Sequence, residues 1–511
     1  MRLLLVVVCA LGAGLTVAVD PRIGLAAGVL VSGAIALALV SARLADVALG
    51  ACAALLIGYA FFGRGFAYLG VAPLFVGELV LLLLVLGWLR GPRDRLAGAV
   101  PPLLVAFMVW GAISTVPYLG TYGLDALRDA VTWGYGLFAL AVASTLRTSH
   151  VRAAAGLYAR ILPAFLLWVP LAGILTRIVE IPNLPGTTVP IVVFKGGDAG
   201  VLLGGVAAFV MVGLYERMRP SFRMPEALLW AGWLIAVGVV GTVNRGGLIA
   251  ASMMAITVVS LRAAARWIVL VSVALALLVP LAIIDPRIDV GGAREVSIGQ
   301  IAENVTSVFT STEDDALEGT ERFRLAWWRA IVDYTVSGPY FWTGKGYGIN
   351  LADDDGFQPT EDGSLRAPHN GHVEVLARSG VPGLMLWVML QVTFGATLLR
   401  TLGRARRLPD PWWSQIIAWV LTIWLAALVN STFDPYLQGP HGGIWFWSIF
   451  GLGIAATRLA TAELEEAPAG GGPIVDPATR PGPAAARRAL RHSWGPQRRA
   501  QEGPSTGPRR A

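Results

Sequence analysis

Charge is scarce in this chain: of 511 residues only 14% are Asp, Glu, Lys or Arg, against about 25% in an ordinary soluble domain. A soluble globular protein is excluded on that ground. There are two cysteines, Cys9 and Cys52, and both lie inside apolar runs, so neither a disulfide framework nor a cysteine metal site is available. Histidine is also rare, with five in the chain. Long polar sequence is confined to one stretch, Glu318–Leu384, and to a C-terminal tail rich in Pro, Gly, Ala and Arg.

What is abundant is apolar sequence, 55% of the chain, arranged in runs of about 17 to 22 residues, each long enough to cross a hydrocarbon core of roughly 30 Å as a helix. About fourteen such runs are read, at 2–19, 24–42, 45–62, 73–90, 98–117, 126–146, 155–177, 197–215, 226–243, 246–262, 266–284, 380–400, 412–432 and 440–458. The first run has a one-arginine n-region and no clear small-x-small site before Asp20, so it is kept as a span. The expected architecture is an all-α polytopic membrane protein with about 12–14 transmembrane helices and a large, mainly helical extracytoplasmic loop. Four regions are expected: an N-terminal bundle at 1–284, the loop at 285–379, C-terminal spans at 380–459, and a disordered basic cytoplasmic tail at 460–511.

Arginines fall in alternate connections: Arg90, Arg93 and Arg95; Arg147 and Arg152; Arg217, Arg219 and Arg223; Arg262 and Arg266; and Arg400, Arg404, Arg406 and Arg407. Basic residues stay on the cytoplasmic side. Both termini are therefore expected inside a cytoplasmic membrane. The same parity places outside the loop from Ile284 to Gly380, the segment around Lys195, the turn at Asn244 and Arg245, and His369, His372 and His441. The net charge of +7 resides mostly in cytoplasmic segments, which makes anionic membrane lipid, and not nucleic acid, the expected counterpart.

Within the loop, Phe323, Trp327, Ala330 or Ile331, and Tyr334 recur at helical spacing. On another face Arg324 precedes Trp328 by four residues, a spacing that allows the guanidinium to stack on the indole and present its fork to phosphate; the alternative is an arginine that anchors the helix among headgroups. GKGYG at 344–348 alternates glycine with Lys345 and Tyr347, giving either a close approach to a ligand or a structural turn. PHNGHVEVLARSG opens a helix near His369 and Asn370. The positive end of its dipole would keep His369 neutral, as a general base requires. His369 and His372 lack a third ligand at convincing spacing, so no metal is expected, and the Asp353–Asp355 run reads as a solvated face. Arg245, in VNRGG, either snorkels to the outer interface or lines a cavity and binds an anion. Lys195 and Asp198 share its expected depth and either line the same cavity or pair with each other.

Outside the membrane no nucleotide sugar is supplied, so glycosyl transfer there needs a lipid-borne donor. FRLAWWRAIV, then GKGYG, then PHNGHVEVLARSGVPGL resembles, in order and spacing, the shared domain of O-antigen ligases and Wzy-type polymerases. Arg245 with Gly246, Arg324 with Trp328, Gly344, Gly346 and Gly348, His369 with Asn370, and Gly380 with Gly383 carry the match, and Pro368 stands where the family has a small residue. The resemblance implies a metal-independent, inverting glycosyltransferase with no cofactor. Its donor would be a glycan on a polyprenyl diphosphate, and its acceptor a glycan, lipid or protein hydroxyl. Arg245 and Arg324 would hold the diphosphate and His369 would be the base, with Lys345, Tyr347, Asn370, Trp328, Lys195 and His372 as substrate-binding candidates. The resemblance leaves open ligase, repeat-unit polymerase and protein O-oligosaccharyltransferase. A non-enzymatic glycolipid transporter would require charges along the spans, where Glu78 is one of few.

Overall fold

In the computed structural model the described residues are 33, 43–91, 96–185, 187–220, 224–241, 245–253, 264–284, 288–289, 295–296, 315–359, 361 and 363–466, with side chains at 245–246, 264–266, 278–284, 288–289, 295–296 and 315–321 left aside. Among them helix is almost the sole regular structure; two two-residue hairpins are the exceptions, Gly70–Val71 with Leu74–Phe75 and Ile288–Asp289 with Glu295–Val296. The described bundle and loop belong to one compact unit that ends at Leu464.

Six of the described helices are long and apolar enough to cross a membrane: Leu44–Phe62, Val100–Tyr122, Thr148–Ile178, Gly371–Ala405, Trp412–Phe433 and Pro440–Glu466. Shorter apolar helices lie at Gly136–Thr145, Gly196–Met211 and Glu226–Gly241, and over Trp267–Leu277 within Ala264–Ile284. The all-α polytopic expectation holds. The count of twelve to fourteen spans does not transfer directly, and the reasons are local. The runs at 2–19 and 24–42, and most of 246–262, lie outside the described residues. The run at 126–146 divides at Tyr135 into Leu124–Gly134 and Gly136–Thr145, because its first half carries a polar face, Asp125, Arg128 and Asp129, that serves the loop instead of lipid. The run at 73–90 starts as a helix only at Val76, after a hairpin. The last helix continues through residue 460 to Glu466, and 467–511 lies outside the described residues.

The arginine-bearing loops converge. Arg217 pairs with Asp410, Arg152 stacks over Trp412 at 4.7 Å, and Arg458 donates to the carbonyl of Leu146 at 2.9 Å. Trp412 begins a 22-residue helix that ends at Phe433, about 33 Å away at about 1.5 Å per residue. At that far end lie Arg324, Lys195 and Arg64. The alternation of basic loops in sequence is thus a spatial separation in the fold.

Glycines set how closely the helices approach. Gly196, Gly200 and Gly204 form one stripe on Gly196–Met211, and the helix Arg245–Ser252 lies against it: a Cβ on Gly200 would stand 2.3 Å from the Gly247 carbonyl, and one on Gly247 would stand 2.5 Å from the Gly196 carbonyl. Small residues at four-residue spacing permit such backbone contact. The first turn of 245–252 is thereby held beside the first turn of 196–211.

The loop is fastened to the bundle by an ion network with a buried centre. Arg378, 1% exposed, pairs with Glu374 at 2.8 Å and with Asp129 at 3.1 Å. Asp129 also accepts from Gly348 N–H at 3.1 Å and from Arg366 at 3.4 Å. Here the GKGYG turn acquires its reason. The helix Gly371–Ala405 is interrupted at Gly380, φ 68°, and Pro382 brings no N–H. Two carbonyls before the kink would then lack partners. The Ala377 carbonyl accepts from Lys345 N–H at 2.7 Å and the Arg378 carbonyl from Gly346 N–H at 3.1 Å, while Trp110 donates to Ser379 at 2.9 Å. All three glycines of the turn have positive φ, and a Cβ at Gly344 would stand 2.4 Å from Arg378 carbonyl carbon. The turn repairs a broken helix.

Candidate functional site

His369 sits one residue before a helix N-terminus. Asn370 is the cap, its side-chain oxygen accepting from His372 N–H at 3.0 Å and Val373 N–H at 3.1 Å. His369 itself has φ 52°, a left-handed conformation that surrounding structure must hold for a residue with a Cβ. Part of that hold is Trp328, whose indole N–H donates to the Pro368 carbonyl at 2.7 Å. The sequence spacing allowed Arg324 to stack on Trp328. Among the described residues no such stack forms, because the indole is turned toward Pro368 and the guanidinium reaches the Phe433 carbonyl at 3.4 Å. One helix thus fixes both the arginine and the backbone beside the histidine. Trp328→Phe is expected to lower turnover by about 3- to 10-fold, the weight of one hydrogen bond of about 1 kcal/mol, with KM held; steady-state kinetics on lipid-reconstituted protein checks this.

Burial is the main influence on the His369 imidazole, followed by the cations of Arg324, Lys195 and Arg64; together they push it from its ordinary value of 6.5 to about 4. It is neutral through the physiological range. No hydrogen bond among the described residues occupies its ring, so a nitrogen lone pair is available to an incoming hydroxyl. His372 differs. Its Nδ1 accepts from Trp387 at 3.0 Å, which leaves the proton on Nε2, 3.2 Å from the Leu428 carbonyl. Both nitrogens are engaged in packing the bundle.

Two of the three cations that act on His369, Arg64 and Lys195, belong to a cluster of charges. Arg64 Nε meets Asp198 Oδ2 at 2.8 Å and its Nη2 meets Asp434 Oδ2 at 3.3 Å. Lys195 Nζ meets Asp434 Oδ1 at 3.4 Å. The buried His441 stands 3.6 Å from Asp198. Burial, partly offset by Asp434, lowers the Arg324 pKa from its ordinary value. It leaves the side chain a cation, since a guanidinium does not lose its proton in proteins. Arg245 opens the helix 245–252, whose first turn lies beside Gly196 and hence beside Lys195; its side chain lies outside the described residues.

Of the sequence candidates, His369, Arg324 and Lys195 are therefore grouped, Arg245 is brought to the same end by its backbone, and Trp328 and Asn370 position the histidine. Lys345 and Tyr347 are elsewhere engaged. The Lys345 ammonium pairs with Asp354 and Asp355 and lies 4.3 Å from the Tyr334 ring, so that acidic run is not merely a solvated face. Tyr347 is 1% exposed and bonds Ser379 Oγ at 2.8 Å. Arg64 and Asp434 are not read from the sequence, and the Lys195–Asp198 pairing it offers is replaced by Asp198 with Arg64 and Lys195 with Asp434. Arg64 alone carried a signal, as a charge between two glycines at the end of an apolar run.

Set beside known families, residues 230–388 match the model described as O-antigen ligase; curated proteins give no match to the chain. The matched segment contains Arg245, Arg324, the glycine turn, His369 and the kink at Gly380. Over that segment, and not beyond it, the chain is similar to the O-antigen ligase family.

Proposed function

We propose that this protein is a glycosyltransferase that moves a glycan from a polyprenyl-diphosphate donor to an acceptor hydroxyl at the outer side of a cytoplasmic membrane, in cell-envelope polysaccharide assembly. The observation that carries the reading is a neutral, unoccupied imidazole beside a group of cations at one end of an apolar helix bundle. A diphosphate departing from a sugar carries concentrated negative charge, which preplaced cations stabilise as it develops. His369 would accept the acceptor hydroxyl's proton while the oxygen attacks the anomeric carbon opposite the phosphate. The carbon–oxygen bond to phosphate breaks with its electron pair on the lipid diphosphate, and the anomeric configuration inverts. Arg324 and Arg245 would hold the diphosphate. Metal is not required by this scheme, because the guanidinium groups supply the positive charge.

Both termini are proposed to lie in the cytoplasm, in keeping with the convergence of the arginine loops at the other end of the bundle. The transporter alternative is disfavoured by Glu78, one of few interior charges: it accepts from Phe75 N–H at 3.1 Å and from the Tyr135 hydroxyl, which makes it a helix-end cap and not a step on a path.

The test is glycan transfer from a synthetic polyprenyl-diphosphate sugar by purified protein in chelator, with the product's anomeric configuration read by NMR. Inverted product formed at full rate in chelator supports the reading. Retained configuration, metal dependence or no donor consumption would overturn it.

A further inference from the structure

We propose that Arg64 and Lys195 form a second phosphate-binding arm of the site and that Asp434 is the anion this arm exchanges when a lipid diphosphate binds. The proposal rests on the glycosyltransfer reading above and concerns residues outside the matched segment 230–388.

The arm is built, not incidental. Arg64 lies in a short turn between Gly63, φ 64°, and Gly65. A Cβ at Gly63 would stand 2.0 Å from the Val193 carbonyl, and one at Gly65 would stand 2.3 Å from the Ile191 carbonyl. Glycine is therefore what lets this turn seat on residues 191–193. The seat is hydrogen-bonded both ways: Arg64 N–H donates to Val193 O at 2.9 Å, and Val193 N–H donates to Phe62 O at 3.0 Å. Two residues after that bridge, Lys195 precedes the helix Gly196–Met211. The two cations are thus carried on two segments locked to each other.

Their partners differ in kind. Asp198, with a side chain 5% exposed, takes the Nε edge of Arg64 at 2.8 Å, the length of a charge-assisted bond, and fixes the guanidinium's direction. Asp434 gives one oxygen to Arg64 at 3.3 Å and the other to Lys195 at 3.4 Å, both longer than such bonds prefer. A carboxylate spanning two cations loosely occupies the place a phosphate would take. Arg64 is 27% exposed and Lys195 41%, so a lipid-borne phosphate can reach them, and with more charge and more acceptor oxygens it would displace Asp434. Arg324 reaches the neighbouring Phe433 carbonyl at 3.4 Å, so the arm and Arg324 meet the same 433–434 segment.

The experiment measures competitive inhibition by sugar-free polyprenyl diphosphate on full-length protein in nanodiscs, with its binding measured in parallel by calorimetry. Arg64→Gln combined with Asp198→Asn keeps the buried pair neutral, and its inhibition constant should rise about tenfold or more, the weight of a charge-assisted contact. Lys195→Gln should raise it several-fold and, on an exposed side chain, serves if the double variant does not fold. Asp434→Asn should move it the other way, toward tighter binding. Unchanged constants in the double variant and in Lys195→Gln, or weaker binding in Asp434→Asn, would overturn the arm. If wild-type protein binds the diphosphate with these dependences and transfers no glycan, the enzymatic reading fails and the arm stands. If it transfers glycan and the dependences are absent, the arm alone fails.

Discussion

Replacing His369 by alanine is expected to reduce turnover by about 10²- to 10⁴-fold, the range for a positioned general base, with the donor KM and the melting temperature little changed. The side chain makes no hydrogen bond among the described residues, so its removal breaks no support of the fold. Its pH signature is equally specific. Burial and the three neighbouring cations place the imidazole at about 4 in the donor-free protein, below its unfolded value of 6.5, so the neutral form dominates above about pH 4. The acid limb of kcat/KM, which reports free enzyme, should therefore fall near pH 4 and not near 6.5. The same lowered pKa means that the folded state binds this proton less readily than the unfolded chain. Its contribution to stability is complete above about pH 6.5 and lost as pH drops toward 4. In the donor complex the diphosphate offsets Arg324, Lys195 and Arg64, and the acid limb of kcat should move upward from that of kcat/KM. A kcat/KM limb at 6.5 that persists in His369→Ala would assign the titration to another group.

The second large effect is structural. Arg378→Met leaves Glu374, 2% exposed, without its cation, while Asp129 keeps Arg366 at 3.4 Å and Arg128 at 3.2 Å; breaking a buried pair from one side costs about 3–5 kcal/mol. The loss also reaches the glycine turn, since Arg378 donates to the carbonyls of Gly346 at 3.4 Å and Ile349 at 3.3 Å. Thermal unfolding in nanodiscs should show a clear decrease for Arg378→Met. Adding Glu374→Gln should recover part of it, because the uncompensated charge is then gone. A wild-type melting curve for the single variant would mean that the network does not hold the loop to the bundle.

These two residues mark what could be read from sequence and what could not. The helical periodicity of 321–334, the helix start at His369 and the break at Gly380 follow from local rules of spacing, capping and glycine–proline chemistry, and the structure has each of them. His369 and Arg324 came from the ordered motifs, and Lys195 from its depth. Arg378 was invisible as a keystone: its partners Asp129 and Glu374 lie 249 and 4 residues away, and the first was hidden inside an apolar window whose average masked one polar face. The glycine turn was visible as a turn but not as the donor of N–H groups to a kinked helix, since that needs the fold to bring 345–346 to 377–378. Arg64 was missed for the same reason. A lone arginine at the end of an apolar run acquires meaning only when Asp198 and Asp434, 134 and 370 residues distant, are placed beside it.

The proposed chemistry has glycan leave a lipid diphosphate between His369 and the cations at this end of the bundle. Its most direct measurement is single-turnover donor consumption by reconstituted wild-type protein beside His369→Ala, Arg324→Ala and Arg245→Ala, each confirmed folded by its melting curve. Transfer by the wild type and a loss of about 10²-fold or more in every variant are expected. Wild-type rates in all three would contradict that chemistry.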